Sequence, residues 1–208
     1  MEPRPQPLRY VALGDSYTIG TSVERGERWP DRLVEALAGP PPVLELVANL
    51  GVNGYTSRDL IRDELPALGG LAPDFATVLI GVNDVVRGVP AAAYEANVAT
   101  ILDDLLARLP ATRIVTVATP DYTVTQAGAD YGSPRQQHDG IVANNVLMAR
   151  AATARGIAYV DTFDLSLRAA DDRGLVAGDG LHPSGRQYAL WVERIAPVVM
   201  SLLSGRSA

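Results

Sequence analysis

Leu8-Arg9-Tyr10-Val11-Ala12-Leu13-Gly14-Asp15-Ser16 is the stretch that establishes the pattern of the whole chain. Its first six residues are mostly apolar and predict a short buried strand, which ends in a polar Gly-Asp-Ser turn. Four later runs have the same character, and we predict further strands over residues 43–48, 75–80, 114–118 and 157–160. Continuous apolar runs are typical of parallel strands that are buried on both faces.

Helical stretches separate the predicted strands. We predict helices over residues 29–38, 56–68, 90–109, 141–155 and 184–203. This alternation predicts an α/β fold with a mostly parallel, doubly wound sheet between two layers of helices. Because no domain boundary, repeat or low-complexity tract is visible, we predict one domain over residues 1–208, with residues 1–7 as a flexible tail.

Two polar segments have no clear helical or strand pattern. Residues 120–140 are rich in glycine and turn residues, and we predict a long loop that could cover a site. Residues 161–180 are predicted to be irregular as well. In a doubly wound sheet, ligands bind beyond the carboxyl ends of the strands, so polar residues that directly follow strands are the first candidates for a site.

Composition excludes several kinds of chemistry. The formal net charge is −6 and all 18 basic residues are arginine, so the chain offers no basic stripe for nucleic acid. The absence of cysteine excludes thiolate nucleophiles and disulfides, and the absence of lysine excludes Schiff-base chemistry and a P-loop. No histidine–carboxylate cluster has metal-ligand spacing, and no dinucleotide-binding glycine motif follows a strand. We therefore predict no metal and no cofactor.

The N-terminus gives no sign of export. Residues 1–7 are proline-rich and lack the apolar segment of a signal peptide, and no apolar run is long enough to span a membrane. These features predict a cytoplasmic chain without a transmembrane segment. A mature chain that had lost its leader would look the same.

One of the two histidines has a suggestive neighbourhood. His182 follows Asp179 by three residues and is itself followed by Pro183. Far upstream, Ser16 follows the first predicted strand. A hydroxyl, an imidazole and a carboxylate are the groups that nucleophilic acyl transfer requires, so a serine hydrolase acting on a small-molecule ester is our first hypothesis.

Four sequence blocks carry a resemblance to a known family. They are Gly14-Asp15-Ser16-Tyr17, Asn49-Leu50-Gly51-Val52-Asn53-Gly54-Tyr55-Thr56, Gly81-Val82-Asn83-Asp84 and Asp179-Gly180-Leu181-His182-Pro183. In this order they resemble the SGNH hydrolases, also called the GDSL esterase/lipase family. Tyr17 departs from the usual leucine, at a position that varies across the family. The segment 81–88 is most similar to the small microbial thioesterase/lysophospholipase branch.

The resemblance implies both a fold and a set of roles. The implied fold is a flavodoxin-like sheet of five parallel strands with helices on both faces. The implied triad is Ser16 as nucleophile, His182 as general base and Asp179 as the carboxylate that orients the imidazole. The implied oxyanion hole consists of the backbone N–H groups of Ser16 and Gly54 and the side-chain amide of Asn83.

Simpler interpretations exist for several of these residues. Ser16 could cap a helix, Gly54 could serve a turn that needs positive φ, and Asn83 could be a turn residue. We expect structural roles for several other polar residues of the loops. Asp15 and Asp84 are expected to bond loop backbone, Asn49 to hold the second block, Arg87 to form a loop ion pair or remain solvated, and His138 to lie on the surface. Tyr122 and Tyr131 could line the substrate site.

Three activities remain open at this point. The first is a serine esterase that hydrolyses esters, thioesters or lysophospholipids through an acyl-enzyme. The second is an acyltransferase that passes the acyl group to an alcohol, or a carbohydrate O-acetylesterase. The third, a non-catalytic binding domain, is disfavoured because all residues of the implied triad and oxyanion hole are present.

Overall fold

The computed structural model describes residues 6–39 and 42–205, and its centre is a parallel sheet of five strands. The strands are β1 (Leu8–Gly14), β2 (Leu44–Asn49), β3 (Phe75–Leu79), β4 (Ile114–Val117) and β5 (Ala158–Val160). They lie in the order β2-β1-β3-β4-β5, and each neighbouring pair is parallel. This is the flavodoxin-like order, so the predicted fold class and the five predicted strands are confirmed.

Helices connect the strands and cover the sheet. They are α1 (Ser16–Ile19), α2 (Trp29–Ala36), α3 (Ser57–Asp59), α4 (Leu65–Leu71), α5 (Val82–Val86), α6 (Ala91–Leu106), α7 (Pro134–Thr153), α8 (Phe163–Leu167) and α9 (Gly185–Leu203). A π-helical turn (Leu60–Glu64) joins α3 to α4, so the two form one helical segment.

The sheet separates two hydrophobic cores, and the side chains of β1 point alternately into one and the other. Tyr10 and Ala12 point to the face that α2 and α9 cover, where Trp29 and Trp191 are fully buried. Val11 and Leu13 point to the other face, against residues of the 57–71 segment and α6. Successive strand side chains point to opposite faces, so one apolar strand fills both cores. The result is a three-layer α/β/α arrangement.

The predicted loop over residues 120–140 is wrong at its C-terminal end. Helix α7 begins at Pro134, and the Ser133 side chain accepts a hydrogen bond from the N–H of Gln136. Proline in the first turn and serine at the N-cap are ordinary helix-start signals. These signals were not recognised in the sequence, because the first residues of the helix are polar and its apolar period begins only at Ile141, which is fully buried. Residues 161–180, predicted to be irregular, include the short helix α8.

The chain ends add little to the fold. Of the predicted tail, residues 1–5 lie outside the described residues, and residues 6 and 7 are exposed and precede β1 without regular structure. Within the described ranges, no helix is both long enough and apolar enough to cross a membrane.

Gly51 brings the loop after β2 into direct contact with α1. A Cβ atom at this position would lie 2.8 Å from both the carbonyl oxygen of Asp15 and the backbone nitrogen of Ile19. Both neighbours are backbone atoms and cannot swing away. Only glycine therefore allows the second block to approach the first block so closely.

We expect Gly51→Ala to destabilise the protein by about 2 kcal/mol, because the added methyl group overpacks this contact. The matched control is Gly69→Ala in α4, where a Cβ atom would meet nothing within 4 Å. It should be neutral or stabilising by up to about 1 kcal/mol, since alanine is the better helix former. Chemical denaturation measures both. Equal effects of the two substitutions would contradict the close approach at Gly51.

Candidate active site

Three strand ends bring the first three blocks together. Because β2, β1 and β3 are neighbours in the sheet, the loops that follow them lie side by side at its carboxyl edge. Ser16 is the first residue of α1 and is 7 % exposed. Asp15 precedes it as N-cap, with one carboxyl oxygen accepting the N–H of Tyr17 at 3.0 Å. The N-cap fixes the turn that presents Ser16.

Glu64 holds the same turn through a hydrogen bond to its backbone, and this role was not predicted from the sequence. Its carboxyl oxygen accepts the N–H of Gly14 at 2.9 Å, and the side chain is almost fully buried. Leu60, Glu64 and Leu68 recur at helical spacing on the buried stripe of the 57–71 segment. A glutamate on such a stripe is the signal that could have been noticed, since glutamate is rarely buried without a partner.

Burial gives Asp15 and Glu64 unusual ionisation. Desolvation is the main cause that raises the pKa of Asp15 to about 8, and the neighbouring Asp84 charge adds to it. Desolvation likewise raises the pKa of Glu64 to about 9, with a further contribution from Asp15. Both groups therefore tend to remain protonated where exposed carboxyls have ionised.

The second block is held by its own first residue. The side-chain amide of Asn49 donates to the carbonyl of Thr18 at 2.7 Å and accepts the N–H of Gly51 at 3.1 Å. This is the side-chain to backbone bonding that we expected for Asn49. It connects the loop after β2 to α1, and the hydrogen bond between Thr21 and Asn53 adds a second connection.

Asp84 and Asn83 attach the third block to the second block and to Ser57, which directly follows it. The buried carboxyl of Asp84 accepts the N–H of Ser57 at 2.9 Å and the Ser57 hydroxyl at 2.6 Å. Burial raises the pKa of Asp84. Asn83, next to it, donates its side-chain N–H to the carbonyl of Tyr55 at 2.9 Å. These bonds hold α5 against the residues that follow Gly54.

Gly54 has a conformation that favours glycine. Its φ is +79°, in the left-handed region, and its carbonyl accepts a 2.6 Å hydrogen bond from Arg87. Arg87 also lies 3.8 Å from the carboxylate of Asp59. Arg87 thus holds the loop after β2 in place, in agreement with the loop ion pair considered from the sequence.

The last block forms a tight turn that joins its carboxylate to its imidazole. Nδ1 of His182 lies 2.6 Å from one carboxyl oxygen of Asp179. The other oxygen accepts the N–H groups of Leu181 and His182 at 2.9 and 3.0 Å. Gly180, with φ of +73°, allows the turn.

Asp179 is strongly stabilised in its ionised form. Desolvation by burial acts to raise its pKa, but hydrogen bonds from Ser22, Leu181 and His182 outweigh that effect and hold the pKa well below its usual range. The bond from the Ser22 hydroxyl is 2.6 Å long, and no sequence pattern predicted it. The carboxylate beside the imidazole is therefore ionised at neutral pH.

A cleft of about 230 Å³ collects the candidate residues. It is lined by Ser16, Tyr17, Asn53, Gly54, Val82, Asn83, Val86, Tyr122, Tyr131, Leu181 and His182. Of the sequence-predicted site residues, only Asp179 is not part of the lining, because it lies behind His182. The ring of Tyr17 packs against the imidazole, with centroids 5.5 Å apart. Tyr122 and Tyr131 line the cleft, as considered from the sequence.

His138 belongs to a second histidine–carboxylate pair. Its Nδ1 lies 2.5 Å from a carboxyl oxygen of the buried Asp121, although its ring is 40 % exposed. The next residue along, Tyr122, donates its hydroxyl to Gln137 at 2.8 Å. These bonds attach the loop after β4 to the start of α7. His138 does not line the cleft, so this pair supports a wall of the cleft from outside.

The sequence model of the GDSL-like Lipase/Acylhydrolase family matches residues 12–190, which contain all four blocks. The chain belongs to this family. It is accordingly a hydrolase that acts on ester bonds, and the sequence-based identification is confirmed. No curated protein matches the chain.

Solved structures of the same fold are similar over nearly the full length. LAE5, an alpha/beta hydrolase enzyme from the metagenome of Lake Arreo, Spain, is 21 % identical over 97 % of both chains, with a TM-score of 0.71. A variant of Axe2, an acetyl xylan esterase from Geobacillus stearothermophilus, is 20 % identical over 92 % of this chain and 94 % of its own, with a TM-score of 0.71. The psychrotrophic esterase EstA from Pseudoalteromonas sp. is 17 % identical over 94 % and 98 %, with a TM-score of 0.69.

The buried carboxyl of Glu64 should make the stability of this family member fall as pH rises. Its pKa is raised in the folded chain, so between about pH 5 and pH 9 the folded chain retains a proton that the unfolded chain has lost. The free energy of unfolding therefore decreases with pH, by up to about 1.4 kcal/mol per pH unit for one proton. We expect Glu64→Gln, which keeps an oxygen for Gly14, to flatten this decrease.

Urea denaturation at a series of pH values from 5 to 9 measures the slope. Glu95→Gln, on the exposed surface of α6, is the control and should keep the slope of the parent. A slope in Glu64→Gln as steep as in the parent would contradict a proton held on Glu64.

Proposed function

We propose that this family member is a serine esterase in which Ser16, His182 and Asp179 form the catalytic triad. One observation carries the proposal. The cleft joins the hydroxyl of Ser16 and the imidazole of His182 in one space, and Asp179 supports that imidazole from behind at 2.6 Å. These groups come from opposite ends of the chain. The arrangement supports acyl transfer from an ester.

In the proposed reaction, His182 accepts the Ser16 proton while the Ser16 oxygen attacks the ester carbonyl. The tetrahedral intermediate collapses when the carbon–oxygen bond to the alcohol breaks and the imidazolium returns its proton to the leaving alcohol. Water then attacks the acyl-enzyme while His182 takes its proton. The second tetrahedral intermediate collapses when the bond from carbon to the Ser16 oxygen breaks, the imidazolium returns its proton to that oxygen, and the acid is released. Since Nδ1 of His182 is occupied by Asp179, Nε2 is the nitrogen left to exchange protons with Ser16.

Three donors are proposed for the oxyanion. The N–H of Ser16 has no intrahelical acceptor, because Ser16 is the first residue of α1. The side chain of Asn83 donates one N–H to the carbonyl of Tyr55, so its second N–H is available to a ligand. The third donor is the N–H of Gly54. Donors of this kind, fixed before the reaction, are worth roughly a hundred- to a thousandfold in turnover each.

The dimensions of the cleft favour a short acyl group. Its volume of about 230 Å³ is smaller than the pockets that hold drug-sized ligands, roughly 300 to 1,000 Å³. The rings of Tyr122 and Tyr131 stand edge to face, with centroids 5.6 Å apart, and limit it on one side. We therefore propose short-chain carboxylic esters as the substrate class.

A carbohydrate O-acetylesterase is the second candidate. The similar structure of Axe2 is that of an acetyl xylan esterase, and an acetyl group is the shortest acyl group in common esters. Thioester or lysophospholipid hydrolysis and acyl transfer to an alcohol use the same groups. Product analysis with added alcohol separates transfer from hydrolysis, since a transferase forms the new ester in place of the free acid.

We expect Ser16→Ala to abolish hydrolysis of p-nitrophenyl acetate, with a loss of at least about a thousandfold, while its thermal unfolding stays close to that of the parent. A fluorophosphonate should form a covalent bond to the Ser16 oxygen with loss of fluoride, and mass spectrometry of the digested protein locates the adduct. Ser204→Ala, at the exposed end of α9, is the control and should label like the parent. Labelling of another residue, or full activity of Ser16→Ala, would refute the nucleophile assignment.

A panel of p-nitrophenyl esters from two to sixteen carbons should show highest kcat/KM for the shortest acyl groups. Tyr131→Ala should move the optimum to longer chains, because it removes the ring that limits the cleft. Tyr131→Phe keeps the ring and should keep the parent preference. An optimum of ten or more carbons in the parent would exclude the short-chain proposal, and an acetylated sugar in the panel tests the second candidate.

A further inference from the structure

The carboxylate of Asp179 has a second short hydrogen bond besides the one to His182. The hydroxyl of Ser22 donates to the same carboxyl oxygen that faces Nδ1 of His182, and both distances are 2.6 Å. Ser22 lies in the loop after α1, so it belongs to the nucleophile side of the site. Hydrogen bonds to ionised groups are stronger than neutral ones, and two of them meet on one oxygen.

We propose that Ser22 is a positioning residue of the site: its hydroxyl holds the Asp179 carboxylate in the plane of the imidazole and limits how strongly that carboxylate attracts the proton on His182. The inference rests on the proposed function for its effect on turnover. Its effect on His182 itself is a property of the folded chain and is measurable without a substrate.

The backbone at Ser22 supports this role. Its φ is +66°, and it is one of two non-glycine residues in residues 6–39 and 42–205 with positive φ. Residues other than glycine adopt this region at an energetic cost. Ser22 is exposed and is not part of either hydrophobic core, so packing does not account for the conformation. The contact that it secures is the one to Asp179.

The Ser22 hydroxyl and the backbone donors contact different carboxyl oxygens of Asp179. Its other carboxyl oxygen is held by the backbone of its own turn, through Leu181 and His182. Within the described chain, His182 is the only basic side chain within 4 Å of the carboxylate.

Neighbouring elements contribute two phenols and two further ionisable groups. Tyr188 of α9 lies within electrostatic range of Asp15, Asp179 and Arg28, and the ring of Tyr17 from α1 packs against the imidazole. Besides His182 itself, Ser22 is thus the side chain that is hydrogen-bonded to the carboxyl oxygen facing the imidazole. Desolvation opposes ionisation of Asp179, and Ser22 is foremost among the hydrogen bonds that outweigh it and lower its pKa.

Removing the hydroxyl has two consequences of different kind. The negative charge on the shared oxygen is then divided over one donor fewer, so it interacts more strongly with the imidazolium, and His182 retains its proton to higher pH. The carboxylate also loses one of its four hydrogen bonds, so the imidazole is less well oriented. A merely structural serine would produce a loss of activity without the change in titration.

The experiment compares Ser22→Ala and Ser22→Gly with the parent. Proton NMR follows the imidazole resonances of the two histidines as pH changes, and His138→Gln assigns them, since the chain has no others. We expect the titration midpoint of His182 to rise by roughly half a pH unit in both variants. The acid limb of kcat/KM for p-nitrophenyl acetate should move by the same amount, with a loss of about three- to tenfold at low pH.

Two variants serve as controls, one for poor folding and one for the loss of a nearby hydroxyl. Ser22→Gly relieves the left-handed backbone and should unfold no more easily than the parent, so it remains informative if Ser22→Ala folds poorly. Thr21→Val removes the neighbouring hydroxyl, whose partner is Asn53 and not Asp179, and should leave the His182 midpoint where it is.

An unchanged His182 midpoint in both Ser22 variants would overturn the inference, whether or not activity falls. Failure of the proposed function has a different signature, namely a Ser16→Ala variant that still hydrolyses ester. In that case the shift of the His182 midpoint still decides the role of Ser22.

Discussion

A Cβ atom at Gly14 would lie 2.1 Å from the carbonyl oxygen of Leu79, and one at Gly51 would lie 2.8 Å from that of Asp15. At these points the ends of β1 and β3, and the loops after β1 and β2, approach each other backbone to backbone. The spacing of the three loops is therefore set by the packing of main-chain atoms, which cannot change rotamer. Ser16, Gly54 and Asn83 face one cleft because these glycines let their loops approach. The rest of the site depends on that contact.

The carboxyl groups around these loops have two different roles. Asp15, Glu64 and Asp84 are buried, accept backbone or hydroxyl hydrogen bonds, and have raised pKa values because desolvation dominates. Asp179 is partly exposed and receives four hydrogen bonds, so its pKa is lowered. The first three residues fix turns and loops at the sheet edge, whereas Asp179 keeps a charge beside an imidazole. Environment, and not residue type, separates the structural carboxyls from the one proposed for the reaction.

The two histidines make the same point. Each has a carboxylate oxygen at 2.5 or 2.6 Å from Nδ1, so the pair alone does not identify a catalytic group. His182 lines the cleft with Ser16, while His138 lies outside it and supports the loop that carries Tyr122 and Tyr131.

The sequence by itself determined the five strands and the parallel α/β sheet, and it placed Ser16, Gly54 and Asn83 in loops that directly follow strands. This was possible because apolar runs and glycine-containing turns are local signals, and because strand ends of a parallel sheet meet at a common edge. The roles proposed for these residues came from the resemblance to the family. Asp179 was also available from the sequence, through its spacing from His182. The helix start at Pro134 was missed because its first two turns are polar.

Only the tertiary structure decided the supporting contacts. Glu64 reaches Gly14, Ser22 reaches Asp179 and His138 reaches Asp121 across segments that the sequence does not relate. Such contacts depend on how helices and loops are placed in space, down to single hydrogen bonds, and no periodicity or propensity encodes them. The sequence determined which chemistry the chain carries, and the packing of its loops decided which groups hold that chemistry in position.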